Sequence, residues 1–275
     1  MILLCVAHII KRIDTVKLLW GGVKRMDISE YTVKSNRLPR EFDGFRIAHV
    51  SDFHNDKCAS ALVRGVAAAL PDIIAITGDM VHREREWDNA KILIDGIKKI
   101  APAYFVTGNH EHALKSYGEF SEYMRECGVR ILENETVTVS RGGGEITVMG
   151  LHDPTYFEKG KTDYAVELDA LNLKANEQGA GYKILLCHRP ELFYRYAACG
   201  IDLVLCGHTH GGHVRFPVIG ALYAPGQGLF PKYSNGKYTQ DQSTMIVSRG
   251  LGKSRSIPRV LNPPELVIVT LVCEP

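Results

Sequence analysis

Between Ile201 and His213 the chain reads Ile-Asp-Leu-Val-Leu-Cys-Gly-His-Thr-His-Gly-Gly-His. An apolar run with the length and branching of a buried strand ends at Gly207, and His208 and His210 follow it. Two imidazoles spaced this way at a strand end can face one point, and the flanking glycines let the backbone approach closely. A lone His-x-His is as readily a pair of surface histidines in a turn. Four further strand ends carry the same kind of residue, however. Asp52 and His54 follow the run Phe45 to Val50, Asp79 follows Ile73 to Thr77, Asn109 and His110 follow Tyr104 to Thr107, and His188 follows Tyr182 to Cys187. Singly, Asp52 reads as a helix cap, Asp79 as a turn residue and His188 as a core histidine. Together they occupy one topological position, outside the carboxyl ends of the strands, where ligand sites form in parallel-type sheets.

The donor mixture of carboxylate, imidazole and amide oxygen, without cysteine, suits Mn, Fe, Zn or Co rather than a structural zinc knot. Asp52, His54, Asp79, Asn109, His188, His208 and His210 are too many for one ion of four to six ligands. Two divalent ions sharing a carboxylate, about 3.5–4 Å apart, would use them all. Such a pair generates hydroxide at neutral pH and holds a tetrahedral phosphorus without any nucleophilic side chain. Consistently, the chain has no Gly-x-Ser-x-Gly and no Cys/His pattern for acyl transfer.

The elements that must position these groups alternate. Helical spacing of apolar residues predicts helices over 59–70, 87–100 and 117–127 between the first strands. This βαβαβ order implies a parallel-type sheet covered by helices. Short strands are expected at 129–132, 136–140 and 145–151, the last two joined by a turn at Gly142-Gly143-Gly144. A helix is expected around 164–173, and another over 190–199 with Pro190 as its first residue. Strands at 244–248 and 265–272 close the chain. With no internal repeat or linker, the expectation is an α/β fold with one domain over 45–275, preceded by an N-terminal lead-in over 1–44 that is extended from 24 to 44.

At 275 residues, 45% hydrophobic and 23% charged, the composition is that of a globular protein with a sizeable core. A net charge of +2 gives no basic footprint for nucleic acid, and no basic stripe with interleaved aromatics appears. Seven scattered cysteines without Cys-x-x-Cys read as free thiols of a reducing compartment, implying a cytoplasmic protein. Residues 1–10 are apolar apart from His8, and Lys11 and Arg12 end the run short of the roughly 20 residues of a membrane span. No positively charged start or small-residue cleavage site marks a signal peptide. Residues 1–20 are therefore expected to pack on the domain or to make peripheral contact with a membrane, as the remnant of an anchor.

Asp-x-His at 52–54, Gly-Asp at 78–79, Gly-Asn-His-Glu at 108–111, His188 and Gly-His-Thr-His at 207–210 resemble, in order and spacing, the calcineurin-like metallophosphoesterase superfamily. The resemblance implies a four-layer α/β/β/α sandwich of two mixed sheets flanked by helices. It implies one ion on Asp52, His54, Asp79 and His210 and a second on Asp79, Asn109, His188 and His208, with Asp79 bridging. His110 would contact the phosphate and help protonate the leaving oxygen. The motifs Leu38-Pro39, Phe42-Asp43-Gly44 and those at 211–217, 230–238, 248–252 and 263–266 are similar to a bacterial phosphodiesterase branch that often carries an N-terminal membrane anchor. That branch includes enzymes similar to those cleaving the pyrophosphate of UDP-diacylglucosamine. Two departures bear on the substrate: His213 stands where the branch usually has glutamine, and the N-terminal segment is short for an anchor.

The resulting expectation is hydrolysis of phosphate esters, phosphodiesters above monoesters, by in-line attack of metal-bound hydroxide with His110 assisting the leaving group. The substrate would be a small phosphate ester such as a nucleotide-sugar lipid or phospholipid. The alternatives are a phosphomonoesterase or protein phosphatase, and a catalytically silent metal-binding regulatory protein. His213 and Arg215, with Arg249, are candidate substrate contacts, as are Arg189, Lys232 and Arg255; each arginine or lysine is equally a surface charge. His112 and His152 line the pocket or pack, and His49 reads as a core residue. Tyr223, Phe230, Tyr233 and Tyr238 pack or form an apolar wall.

Overall fold

Side chains along each central strand divide between two faces with period two, and that division builds the layers. In β2 (Arg46–Val50), Ile47 points one way and Ala48 and Val50 the other; in β3 (Ile73–Thr77), Ile73 and Ala75 oppose Ile74 and Ile76. A computed structural model describes residues 26–156, 164–179, 181–253 and 258–274. The expectations for residues 1–20 and for Arg255 lie outside the described residues.

The first sheet has the order β1-β16-β2-β3-β4-β5, with β1 (Asp27–Ser35), β4 (Ala103–Val106), β5 (Arg130–Ile131) and β16 (Glu265–Cys273). β2 through β5 are parallel, and β16 runs antiparallel to β2 and parallel to β1. The lead-in thus contributes an edge strand, paired from Asp27↔Glu265 to Ser35↔Cys273. The second sheet has the order β14-β15-β9-β8-β7-β6. Its strands are β6 (Glu135–Arg141), β7 (Gly144–Gly150), β8 (Tyr182–Leu186), β9 (Leu203–Cys206), β14 (Gly236–Gln240) and β15 (Ser243–Val247). β7, β8, β9 and β15 are parallel, with antiparallel strands at both edges.

One core lies between the sheets, where Ile47, Ala75 and Val106 share a cluster with Val148, Ile184, Leu203, Leu205 and Ile246. The outer face of the first sheet is covered by α1 (Ala59–Ala69), α2 (Asp88–Ile97) and α4 (Tyr117–Glu126), through Leu62, Val66, Leu93, Ile97 and Phe120. The outer face of the second is covered by α5 (Tyr164–Glu177) and α6 (Phe193–Ala198), through Leu168, Leu171, Phe193 and Tyr196. The architecture is the four-layer α/β/β/α sandwich expected. No helix among the described residues is long and apolar enough to cross a membrane.

Three boundaries differ from expectation. The helix expected from Pro190 begins at Phe193, because the Phe193 N–H closes a tight turn on the Pro190 carbonyl at 3.2 Å. The helix over 164–173 continues to Glu177, with Ala175 buried against the sheet. The helix expected to reach residue 100 closes at Ile97, where the Ile100 N–H folds back onto the Ile97 carbonyl. Two small hairpins were not expected at all: β10 (Arg215–Phe216) with β11 (Gly220–Ala221), and β12 (Tyr223–Ala224) with β13 (Gly228–Leu229).

Candidate metal centre

The carboxyl ends of β2, β3, β8 and β9, with α3 (Asn109–Ala113) following β4, converge where the two sheets meet. The loops after β2 and β3 are tied together: the Asp52 N–H donates to the Gly78 carbonyl at 3.0 Å and the His54 N–H to the Asp79 carbonyl at 2.9 Å. Asp52, His54, Asp79, His208 and His210 all have positive φ, between +49° and +67°. For residues with a Cβ, such conformations cost on the order of 1–3 kcal/mol each and persist where the surroundings dictate them. Gly207 makes the approach of the sheets possible, since a side chain there would collide with Ser51 Oγ and Asp52 Oδ2.

Asp52, His54, Asp79 and His210 are buried and offer one donor atom each, all within 4.8 Å of one another. His54 Nε2 lies 3.2 Å from His210 Nε2 and 3.7 Å from Asp79 Oδ2, and His210 Nε2 lies 3.5 Å from Asp52 Oδ1. On the other side of Asp79, His188 Nε2 approaches Asp79 Oδ2 at 3.4 Å and His208 Nδ1 at 3.2 Å. The His188 Nδ1–H donates to the Thr77 carbonyl at 2.7 Å, which leaves its Nε2 turned inward. Asn109 Oδ1 is buried without a hydrogen-bond partner among the described residues. Buried donors converging this way, with an amide oxygen left over, fit divalent cations of the borderline class.

Burial holds the rings of His54 and His208 down to about 3 and that of His210 well below the usual histidine value, so these imidazoles are neutral, the form that ligates. Burial pushes Asp52 up to about 6, His188 opposing and Asp79 adding to the rise. For His188 burial works against the charged ring, and the Asp79 carboxylate outweighs it, so the value lies well above normal. Asp79 is correspondingly held well below the usual carboxylate range, His188 prevailing over burial.

His110 borders this cluster on its open side. Its N–H donates to Asp79 Oδ1 at 3.0 Å, its Nε2 lies 3.8 Å from Asp79 Oδ2, and its ring meets His54 edge-on at 4.9 Å. The side chain is 35% exposed, against 2% for Asp79, so it stands on the solvent-accessible side of the cluster.

The candidate substrate contacts separate. His213 stacks on His210, ring centroids 5.1 Å apart and planes at 19°. Arg215 donates to the Gly211 carbonyl at 3.0 Å, beside the same loop. Arg249 is drawn elsewhere: it pairs with the buried Glu265 at 3.2 Å and with Asp27 at 3.3 Å. Arg189 makes a two-point pair with buried Asp153, at 2.8 and 3.2 Å. Exposed Lys232 lies over the Tyr233 ring. His112 and His152 both bond Thr107 Oγ1, and buried His49 bonds the Thr77 hydroxyl at 2.7 Å.

The sequence alone assigns no role to several supporting residues. Buried Glu111 accepts from the N–H groups of Gly108, Asp79, Met80 and Val81 at 2.7–3.2 Å. Asn262 donates to the carbonyls of His210 and His213 at 2.6 and 3.2 Å, and Arg259 Nη2 lies 3.3 Å from His210 Nδ1. His82 packs edge-on against His54, 5.3 Å between centroids. Glu111 stood within a legible motif; Arg259 and Asn262 arrive from a loop some fifty residues beyond His210, with no local pattern to announce them.

Residues 45–212 match the family model of the calcineurin-like phosphoesterases, and the chain belongs to that family. It is 28% identical over 255 residues to YkuE, an uncharacterised metallophosphoesterase of Bacillus subtilis (strain 168), covering 90% of this chain and 85% of that protein. An uncharacterised metallophosphoesterase of Aquifex aeolicus (strain VF5) is 29% identical, with 89% and 91% covered. Among solved structures, the NAD nucleotidase NadN of Haemophilus influenzae superposes with a TM-score of 0.51 at 14% identity. That match covers 75% of this chain and 45% of NadN, and the likeness is one of fold.

Proposed function

We propose that the chain hydrolyses phosphodiesters at a two-ion centre, with Asp79 between the ions. One ion would be held by Asp52, His54, Asp79 and His210, and the other by Asp79, Asn109, His188 and His208. The observation that carries this reading is the position of Asp79, whose Oδ2 is approached from one side by His54 and from the other by His188. When bound, two divalent cations such as Mn, Fe or Zn would supply a hydroxide at neutral pH and neutralise charge on the phosphoryl oxygens. His110, partly exposed beside Asp79, would direct its ring toward the leaving oxygen and deliver the proton that oxygen needs. His213 and Arg215, next to His210, would face the esterified group. Arg249 is withdrawn from that role by Glu265 and Asp27. A nucleotide-sugar lipid or phospholipid fits this reading as substrate, and the cytoplasmic side of a membrane as its place of action.

The test compares bis-p-nitrophenyl phosphate with p-nitrophenyl phosphate, using metal-stripped protein resupplied with Mn, Fe, Zn or Mg. Faster turnover of the diester is expected. A preference for the monoester would move the assignment to a phosphatase, and silence with every metal would leave a metal-binding regulatory protein.

A further inference from the structure

Thirteen large apolar side chains are exposed among the described residues, and six of them gather in one place: Val218, Ile219, Tyr223, Leu229, Phe230 and Leu261. The backbone joins them into one platform. The Leu222 N–H donates to Val214, the Phe230 N–H to Leu222 and the Arg215 N–H to Val260, at 2.9–3.1 Å. The platform abuts the candidate metal centre, because Gly212 approaches Ala221 so closely that a side chain at 212 would collide with it.

Folding does not account for what stands at the tip. Val218 is fully exposed with φ +71°, at the apex of a γ-turn closed by the Ile219 N–H on the Pro217 carbonyl at 2.8 Å. A β-branched residue is the wrong choice for such a turn on conformational grounds, and a glycine would be far less strained. Phe230, on the second hairpin, is likewise exposed at positive φ. Apolar residues held outward at a conformational cost, in a contiguous patch, mark a contact surface.

Charge identifies the contact. From Leu203 to Pro264 the sequence holds one carboxylate, Asp241, against seven lysines and arginines, while the rest of the chain is net acidic. Lys232 and Lys253 are exposed at the two ends of the platform sequence. Arg249 is neutralised by Glu265 and Asp27, and one carboxylate, Glu191, lies against Gly226 of the second hairpin. Lys232, Lys237 and Lys253 are exposed, however, and apolar tips on a segment of net positive charge are complementary to the headgroup region of an anionic bilayer.

We infer that the hairpin tip at 217–219 and the end of the second hairpin at 229–230, with Leu261, dock on an anionic lipid surface and hold the mouth of the metal centre against it. Docking does not depend on which ester is cleaved, and its readout is binding, so its failure would leave the phosphoesterase reading standing.

The experiment sediments the full chain with vesicles of phosphatidylcholine alone and of phosphatidylcholine mixed equally with phosphatidylglycerol. The wild type should sediment with the anionic vesicles, and less so at high salt. A variant combining Val218→Ser, Ile219→Ser, Leu229→Ser and Phe230→Ser should lose at least about tenfold in partitioning. Its hydrolysis of soluble bis-p-nitrophenyl phosphate and its circular dichroism should be unchanged. The inference is overturned if the wild type stays in the supernatant with both vesicles. It is equally overturned if the variant sediments like the wild type, which would put binding elsewhere in the chain, such as residues 1–20. A wild-type dimer that the substitutions split, with no vesicle binding by either protein, would reassign the patch to self-association.

Discussion

The carboxylate of Glu111 accepts a 2.8 Å hydrogen bond from the backbone N–H of Asp79, so a buried acid fixes the main chain of the residue between the two proposed ion positions. Three further N–H groups, of Gly108, Met80 and Val81, point at the same carboxylate. Burial and the Asp79 charge push Glu111 up to about 7, and those donors pull it down. Glu111→Gln keeps the shape but turns an NH2 toward at least one N–H. The expected cost is about 2–3 kcal/mol, read as a lower urea midpoint at unchanged slope. An unchanged midpoint would mean that the loop is set by other contacts.

Asp79→Asn tests the centre itself. The substitution preserves volume and removes the charge that His54 and His188 face from opposite sides. Bound manganese, counted by elemental analysis after gel filtration, should fall from two ions towards none. Turnover should fall at least about a thousand-fold. A variant that kept both ions and the wild-type rate would sink the two-ion reading.

Asn262→Leu removes the donors that hold the His210 and His213 carbonyls while nearly conserving volume. Partners that orient ligands typically contribute 10- to 100-fold to metal affinity. Roughly tenfold weaker manganese binding is expected, measured against a competing chelator. Equal affinity would show that the His210 turn holds without Asn262.

His49 provides a pH dependence. Burial lowers its pKa to about 3, against the model-peptide value of about 6.5 that applies to the unfolded chain. The unfolded state therefore binds the extra proton between these values. The stability contributed by the neutral ring is complete above about pH 6.5 and is lost as pH falls towards 3, by up to about 1.4 kcal/mol per unit. His49→Gln can still bond Thr77 and does not titrate. Urea denaturation at a series of pH values should give a shallower slope for the variant below about pH 6. Parallel curves would exclude His49 as a source of acid sensitivity.

Most of the proposed ligands were legible because each directly follows an apolar run, and a run that ends in a metal-binding side chain announces both the strand and its carboxyl edge. The layers followed from the same runs, since their two-fold alternation requires partners on both faces. What sequence could not supply was pairing at a distance. Arg249 follows a strand as Arg189 does, yet nothing local reveals that Glu265 and Asp27 claim the first and Asp153 the second. The lead-in read as extended, but its parallel pairing with β16 joins residues more than two hundred positions apart. The hairpins at 215–229 use strands of two residues, too short for any period to show.

The donors of the centre come from both sheets: Asp52, His54, Asp79 and Asn109 follow strands of the first, and His188, His208 and His210 follow strands of the second. Neither half of the polypeptide holds a complete set. A nascent chain made only as far as β5 offers the carboxylates, the Asn109 amide and one imidazole, with the other three imidazoles missing until residue 210 has been made. Its first sheet is complete only once β16 has entered between β1 and β2. Metal capture by these donors would thus be a certificate of completed assembly, issued only when the last strand is in place and the two sheets have closed on each other.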